Sequence, residues 1–351
     1  MPVLGGDDLV DLARRLRAAD TGGWREDGVG RLVAGLGWER AGDVVRTGLP
    51  SGDARLRPVG KYESDHVRGE EYVGLYVPIA VAADPAVKAD AFRRAAHELT
   101  AALGPSPIMG SYGGLSTFYD STPRWGAPFR RWRGHPDSLE LQAGEAGPEL
   151  VLFPTDPTEN WFWRQRHGEA YALDGFFGTD RSAANGGLSI PGMWRTDDWE
   201  VFHTTLTCFL RSLPAEVRAL GIELSLAMHA LIPGTYGPWV FHLACDADTL
   251  ELAVFEQEDV DLAKYDLPSL GWTATADAPP SHEHDEFTRV AYHSGPHRLG
   301  EVDGLRLAGL LVETAKAFGI ESPQGLSLVD HAQSIDGYHV DFFGLTLREN
   351  P

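Results

Sequence analysis

The sequence predicts an α+β fold of two domains, each an antiparallel sheet packed by helices. Three observations predict it. At 351 residues the chain exceeds one ordinary core, because domains cluster near roughly 100–200 residues. Its strands come in runs flanked by helices, without the regular strand–helix alternation of a parallel sheet. A stretch rich in Gly, Ser and Asn, Gly175 to Gly192, separates halves that share one order of elements: helix, strands, helix, strands. The expected boundaries are 1–165 for the first domain, 166–194 for a linker and 195–351 for the second domain.

Asp7 to Ala19 carries Leu9, Val10, Leu12, Ala13 and Leu16 at the spacing of an amphipathic helix, with acids in its first turn. A short helix is expected over Gly30 to Leu36. Tyr72 to Ala82 alternates, with Val73, Leu75, Val77, Ile79 and Val81 on one face, so a half-buried strand is expected; Pro78, which cannot donate to a ladder, favours a sheet edge. Helical period returns from Asp84 to Leu103 through Phe92, Ala95, Ala96 and Leu99, and stops at Gly104-Pro105. Leu139–Gln142 and Leu150–Phe153 read as a hairpin around Gly144 to Gly147.

In the second half, Asp197 to Leu213 forms one apolar stripe through Trp199, Phe202, Leu206, Phe209 and Leu210, with Thr196 as the expected cap and Pro214 as the expected stop. Ile222, Leu224, Leu226, Met228 and Ala230 alternate with Glu223, Ser225, Ala227 and His229; Trp239, Phe241, Leu243 and Cys245 repeat that pattern. Leu250, Leu252 and Val254 supply a third strand. A strand near Phe287 to His293, a helix from Val302 to Phe318 and a final strand pair near Leu326–Val329 and Tyr338–Leu347 complete the reading. The triplet Leu-Gly-Trp occurs in both halves, at 36–38 and 270–272, a weak sign of duplication.

Hydrophobic residues at 43% and charged residues at 23% supply enough apolar matter for two cores and argue against disorder. The opening residues have neither a basic region nor an apolar run, and no segment has the ~18 apolar residues of a membrane span, so a cytoplasmic protein is expected. Cys208 and Cys245 fit buried thiols in a reducing compartment. The net charge of −21 is uneven: residues 1–190 hold 21 Lys and Arg against 26 Asp and Glu, and the remainder 9 against 25. That asymmetry disfavours nucleic acid and anionic membrane as partners of the second half and favours a basic one.

Catalytic signatures are weak. Ser281-His-Glu-His-Asp-Glu286, followed by His293 and His297, offers imidazoles and carboxylates suited to zinc, and a metal-dependent hydrolase using His282, His284 and His293 is the alternative reading. Pro279-Pro280 argues for a loop there, and the spacing departs from the metallo-hydrolase pattern at Glu286 and Phe287. His229 and His242 would sit opposite each other on an outer sheet face if the turn between their strands were symmetrical. Ser111 lacks the glycine at 109 that a nucleophile elbow needs, and Val33 occupies the third glycine position of a dinucleotide fingerprint. Arg130-Arg131-Trp132-Arg133 could stack on nucleic acid, but a strand end whose Arg stems cover Trp125 or Trp132 explains it better. No cofactor is expected.

From about Trp199 to Leu328 the chain resembles the type III secretion and YbjN-type peptide-binding chaperone superfamily (TY-Chap). The residues that carry the resemblance are Asp198-Trp-Glu-Val-Phe202, Trp239-Val-Phe-His-Leu243, Leu250-Glu-Leu-Ala-Val-Phe-Glu256, Leu267-Pro-Ser-Leu-Gly-Trp272 followed by Pro279 and Phe287, and Phe318-Gly-Ile-Glu-Ser-Pro323. The first half is more loosely similar to uncharacterised actinobacterial domains, through its Leu-Gly-Trp, Leu103-Gly104-Pro105-Ser106-Pro107 and Trp132-Arg133. The resemblance implies a class I secretion-chaperone-like sheet that offers an edge or groove to a peptide, and a chaperone-like or immunity-like protein without catalysis. The expected client is a secreted or toxic polypeptide, possession of a basic segment being favoured by charge. The expected contacts are Trp239, Phe241, Phe255 and Trp272, with Glu251, Glu256, Glu258 and Asp259 for steering. A structural subunit of a larger assembly, which would form a stable oligomer, is a third reading, and a homo-oligomer is among the candidate partners.

Overall fold

Asp84 and Asp198 start the two long helices of the chain, and their carboxylates show how. Asp84 accepts from the Ala86 and Val87 amides, and Asp198 from those of Glu200 and Val201, satisfying donors that a first helical turn leaves open. In the computed structural model these begin helices α3 (Pro85–Leu103) and α4 (Trp199–Leu220), which join α1 (Asp7–Ala18), α2 (Glu26–Gly35), α5 (Leu267–Leu270) and α6 (Gly304–Ala317). The structure describes residues 2–61, 64, 67–114, 121–159, 175–180, 195–230, 239–257, 260–275, 289–329, 335, 337–342 and 348–349.

The strands of the first half are β1 (Glu39–Ala41), β2 (Val44–Arg46), β3 (Ala54–Pro58), β4 (Tyr72–Pro78), β5 (Ile108–Ser111), β6 (Pro128–Trp132), β7 (Asp137–Ala143), β8 (Pro148–Pro154) and β9 (Phe176–Asp180). Those of the second are β10 (Leu224–Ala230), β11 (Trp239–Cys245), β12 (Thr249–Phe255), β13 (Thr273–Ala274), β14 (Val290–His293), β15 (His297–Arg298), β16 (Leu326–Val329), β17 (Tyr338–Asp341) and β18 (Arg348–Glu349). Sheet one has ten strands in the order β1-β2-β3-β4-β8-β7-β6-β5-β9-β17. Sheet two has eight, β13-β14-β12-β11-β10-β16-β18, with β15 beside β12. The pairings are antiparallel except that of β16 with β18. The fold is therefore α+β with two antiparallel sheets.

Helix α4 joins the two sheets, touching β5 and β6 of sheet one and β11 and β12 of sheet two. Helices α1 and α3 pack on β7 and β8, and α6 packs on α4 and β11. One continuous apolar cluster runs through this helical layer, from Leu9 and Leu12 through Phe92, Phe209 and Leu213 to Phe241 and Leu311. Each such side chain contributes about 1.5–3 kcal/mol by leaving water. Polar links reinforce the joint: Arg218 donates to both Asp90 oxygens at 2.9 Å, Arg130 Nη2 to the Leu220 carbonyl at 2.7 Å, and the Ala127 amide to Glu216 Oε1 at 3.0 Å.

The repeated Leu-Gly-Trp triplet does the same local job twice. Gly37 and Gly271 sit at φ of 75° and 112°, where a side chain would be strained. Trp38 and Trp272 then donate back to the carbonyls five residues earlier, Val33 and Leu267, closing the helix end. In both places the chain passes straight into an edge strand, β1 in sheet one and β13 in sheet two.

Several expectations change. Strand β4 is buried on both faces and lies inside sheet one, between β3 and β8, because Tyr72 and Tyr76 give it a second apolar face; Pro78 is merely its last residue. Residues 176–180, expected within a linker, form β9, paired with β5 and β17. Helix α4 continues past Pro214 to Leu220, because Leu210, Leu213, Val217 and Leu220 keep the buried stripe unbroken; Asp198 caps it, while Thr196 accepts from the Asp198 amide. The last strands do not pair with each other: β16 lies beside β10, and β17 crosses to sheet one. Among the described residues no helix is long and apolar enough to cross a membrane.

Candidate functional site

The outer face of sheet two, away from the helices, collects most of the expected site residues that the structure describes. Strand alternation decides which they are. Leu250, Leu252 and Val254 of β12 turn inward and are fully buried, so Glu251, Ala253 and Phe255 turn outward. Register carries the same face across the sheet: Ser225, Ala244 and Glu251 form one row, and Ala227, His242, Ala253 and His293 the next. Beyond them His229 pairs with Trp239.

An aromatic platform results. The rings of His229 and Trp239 lie 4.6 Å apart, those of Trp239 and Phe255 5.7 Å apart at near right angles, and those of His242 and Phe255 5.3 Å apart. Trp239, His242 and Phe255 are half-buried, whereas His229 is buried. Gln257 fixes the β11 end by a pair of side-chain bonds with the Trp239 backbone, 2.8 and 3.0 Å. His242 Nε2 meets Ser225 Oγ at 2.7 Å, linking the platform to the next row. The expected facing of His229 and His242 is not realised: the register of β10 and β11 already sets His242 opposite Ala227, and past a bulge after Met228 His229 pairs with Trp239.

The Ser225–Ala244–Glu251 row opens into a cleft of about 970 Å³ whose lining includes Glu223, Asp246, Asp248 and Arg93. The charges there are unequally engaged. Asp246 accepts from the Asp248 and Thr249 amides, which hold its carboxyl below the usual range. Asp248 pairs with Arg218 at 3.2 Å, and Arg93 lies 3.5 Å from Asp90. Glu223 and Glu251 are exposed and form no salt bridge among the described residues.

The other expected residues fall elsewhere. Phe241 and Trp272 are 2% and 3% exposed, on the helix side of sheet two, and Trp272 Nε1 donates to Thr314 Oγ1 at 2.8 Å; packing, and not a partner, accounts for both. Glu256 is exposed but lines a smaller cleft with Asp261, Arg289 and Tyr292. Glu258, Asp259, His282 and His284 lie outside the described residues. His293 shares the outer face, with Nδ1 accepting from the Gly295 amide at 3.1 Å, and His297 has its pKa lowered by burial and by Arg306. Among the described residues no group of three or more His, Cys, Asp or Glu could hold a metal. Glu223, Ser225 and Ala244 were not expected at the site; small or polar residues alternating with buried ones were the available signal.

Sheet one holds a second polar cluster, and it is closed. Arg131 Nε donates to Glu140 Oε2 at 2.7 Å and Nη2 to the Tyr112 hydroxyl at 3.0 Å, while Tyr112 donates to Glu140 Oε1 at 2.7 Å. Arg131 is 0% and Glu140 1% exposed, between the rings of Phe129 and Phe153. Burial opposes the Arg131 charge, but the Glu140 carboxylate and the Tyr112 oxygen outweigh it and raise its pKa. Arg133 pairs with both Glu159 oxygens, at 2.6 and 2.9 Å, and Trp132 Nε1 donates to the Gly104 carbonyl. The basic run thus turns Arg131 and Arg133 to carboxylates within the protein, and the rings beside Arg131 are Phe129 and Phe153, where the sequence predicts Arg stems covering Trp125 or Trp132. Neither cysteine is in a disulfide; Cys208 is half-buried, where a buried thiol was expected, and Cys245 is buried with its thiol pKa pushed up by desolvation.

No protein-family model matches the chain, and neither does any curated protein or solved structure.

Proposed function

We propose that this chain is a non-enzymatic, chaperone-like or immunity-like protein of the cytoplasm that holds a segment of a secreted or toxic polypeptide. One observation carries the reading: Trp239, His242 and Phe255 stand half-exposed and side by side on the outer face of sheet two, with ring spacings of 5.3 and 5.7 Å. Aromatic side chains give a partner large contact area at small entropic cost, so grouped exposure suits recognition better than solubility. The architecture supports it, since among the described residues helices α4 and α6 pack on one face of sheet two and these rings stand on the other. So does the resemblance of residues 199–328 to peptide-binding secretion chaperones, whose quoted strand Trp239-Val-Phe-His-Leu243 contributes Trp239 and His242 to the platform.

Strand addition at a sheet edge suits the molecule less. Among the described residues the edge strands β1, β13, β17 and β18 are three, two, four and two residues long, so an added strand would gain few ladder bonds. The test is an array of overlapping short peptides from secreted bacterial proteins, probed with the full chain and with the double variant Trp239→Ala/Phe255→Ala. A subset should bind the native chain and release the variant. Equal binding by both proteins, or binding of no peptide, would refute the reading.

A further inference from the structure

The aromatic platform and the acidic cleft are parts of one surface. They share the outer rows of β10, β11 and β12, and the 2.7 Å contact between Ser225 and His242 joins them. On β12 the two parts are marked by Phe255 and Glu251, four residues apart on the same face, or about 13 Å at roughly 3.3 Å per residue. Charge selects what can lie across them. Arg218 takes Asp248 and backbone amides take Asp246, while Arg93 is engaged by Asp90, so the cleft retains Glu223 and Glu251 as exposed carboxylates without salt bridges among the described residues. The surrounding half of the chain, residues 191–351, holds 25 acidic against 9 basic residues, which excludes an acidic occupant and draws a basic one.

Resting on the peptide-binding reading above, we infer that this face receives an extended, basic polypeptide segment. Its apolar side chain rests on Trp239, His242 and Phe255, and its Lys or Arg, four residues along, enters the cleft beside Glu223 and Glu251. The spacing is a consequence of the pleat. An extended guest also advances about 3.3 Å per residue and turns alternate side chains to one side, so positions four apart reach both parts and positions five apart do not.

The experiment uses the full chain and fluorescein-labelled peptides followed by anisotropy. The reference peptide is Thr-Val-Trp-Thr-Ser-Thr-Lys-Val-Thr; a second replaces its Lys with Glu, and a third moves the Lys one place further on. The reference should bind about tenfold more tightly than the Glu peptide, the difference expected when exposed opposite charges become like charges. Its advantage should shrink between about 50 mM and about 300 mM salt as screening grows. The third peptide should lose most of that advantage. The protein variant Glu223→Lys/Glu251→Lys, altered only at exposed positions, should reverse the preference and favour the Glu peptide. Equal binding of all three peptides that still depends on Trp239 and Phe255 would overturn this inference and leave the peptide-binding reading standing. No binding of any peptide, with an inactive array, would remove both. Self-association in sedimentation that the Trp239→Ala/Phe255→Ala variant abolishes would make a second copy the occupant and also overturn it.

Discussion

Glu216 gives a direct test of how α4 is joined to sheet one. Its side chain is 2% exposed; Oε1 accepts from the Ala127 amide at 3.0 Å, and Oε2 has no hydrogen-bond partner among the described residues. The nearby hydroxyls are directed elsewhere, Ser111 to the Tyr112 carbonyl at 3.3 Å and Ser212 to the Cys208 carbonyl at 3.2 Å. Burial raises the Glu216 pKa above the ordinary 4.5, although the Ala127 amide offsets part of it. The sign follows from proton counting. Between the unfolded value and the raised folded value, the folded chain keeps a proton that the unfolded chain has released, so stability falls as pH rises through that window and is level above it. Glu216→Gln keeps an acceptor for Ala127 and cannot ionise. The variant should match the native chain near pH 4 and exceed it at pH 7.5 by about 1–3 kcal/mol, the cost of an unsatisfied buried polar group. Thermal unfolding followed by circular dichroism at several pH values checks this, with ~2–4 °C expected per kcal/mol. A variant less stable than the native chain at pH 7.5, or a difference that does not change with pH, would refute the reasoning.

Phe241→Ala should cost about 3–5 kcal/mol in urea unfolding, because it opens a cavity in the core, whereas Phe255→Ala, at a half-exposed position, should cost much less. Arg131→Met should cost about 3–5 kcal/mol by leaving Glu140 buried without its cation, and Arg131→Met/Glu140→Leu should recover much of the loss; the same unfolding assay reads both. Gly271→Ala should cost about 1–2 kcal/mol, since φ of 112° strains any side chain there, although space near Leu310 is adequate.

What the sequence revealed depended on how local the deciding interaction was. Helices α1, α3 and α6 and the β7–β8 hairpin were legible because their periodicity and their caps or turns lie within the segment itself. Pro214 misled because its local preference to end a helix competes with Val217 and Leu220, whose burial depends on neighbours distant in sequence. The platform was half legible. Trp239 and Phe255 were expected on the strength of aromatic content, but content alone could not separate them from Phe241 and Trp272. For Phe241 the bulge in the β10–β11 register does so, because alternation alone would put Trp239 and Phe241 on one face, and for Trp272 its bond to Thr314 does. The cleft was not foreseen because Glu223, Ser225, Ala244 and Glu251 come together only through the register of three strands.

Strand β17 bears on whether the halves can be separated. It lies in the second half of the sequence yet closes the far end of sheet one, pairing with β9 over Tyr338–Asp341. Tyr338 donates to the Ser106 carbonyl at 2.6 Å, and Phe342, 1% exposed, packs its ring 5.8 Å from Phe176 of sheet one and 6.2 Å from Phe209 of α4. A fragment of residues 1–194 would therefore lack β17 and α4, exposing the β9 edge together with apolar surface that α4 covers. Unpaired edges beside apolar surface promote association. The fragment should aggregate when expressed alone and become soluble when residues 195–351 are supplied on a second chain, with which it should co-purify. A fragment that is monomeric by light scattering and unfolds cooperatively by itself would mean that β17 and α4 are dispensable to sheet one, and that the joint described for Glu216, Arg218 and Arg130 adds little to the fold.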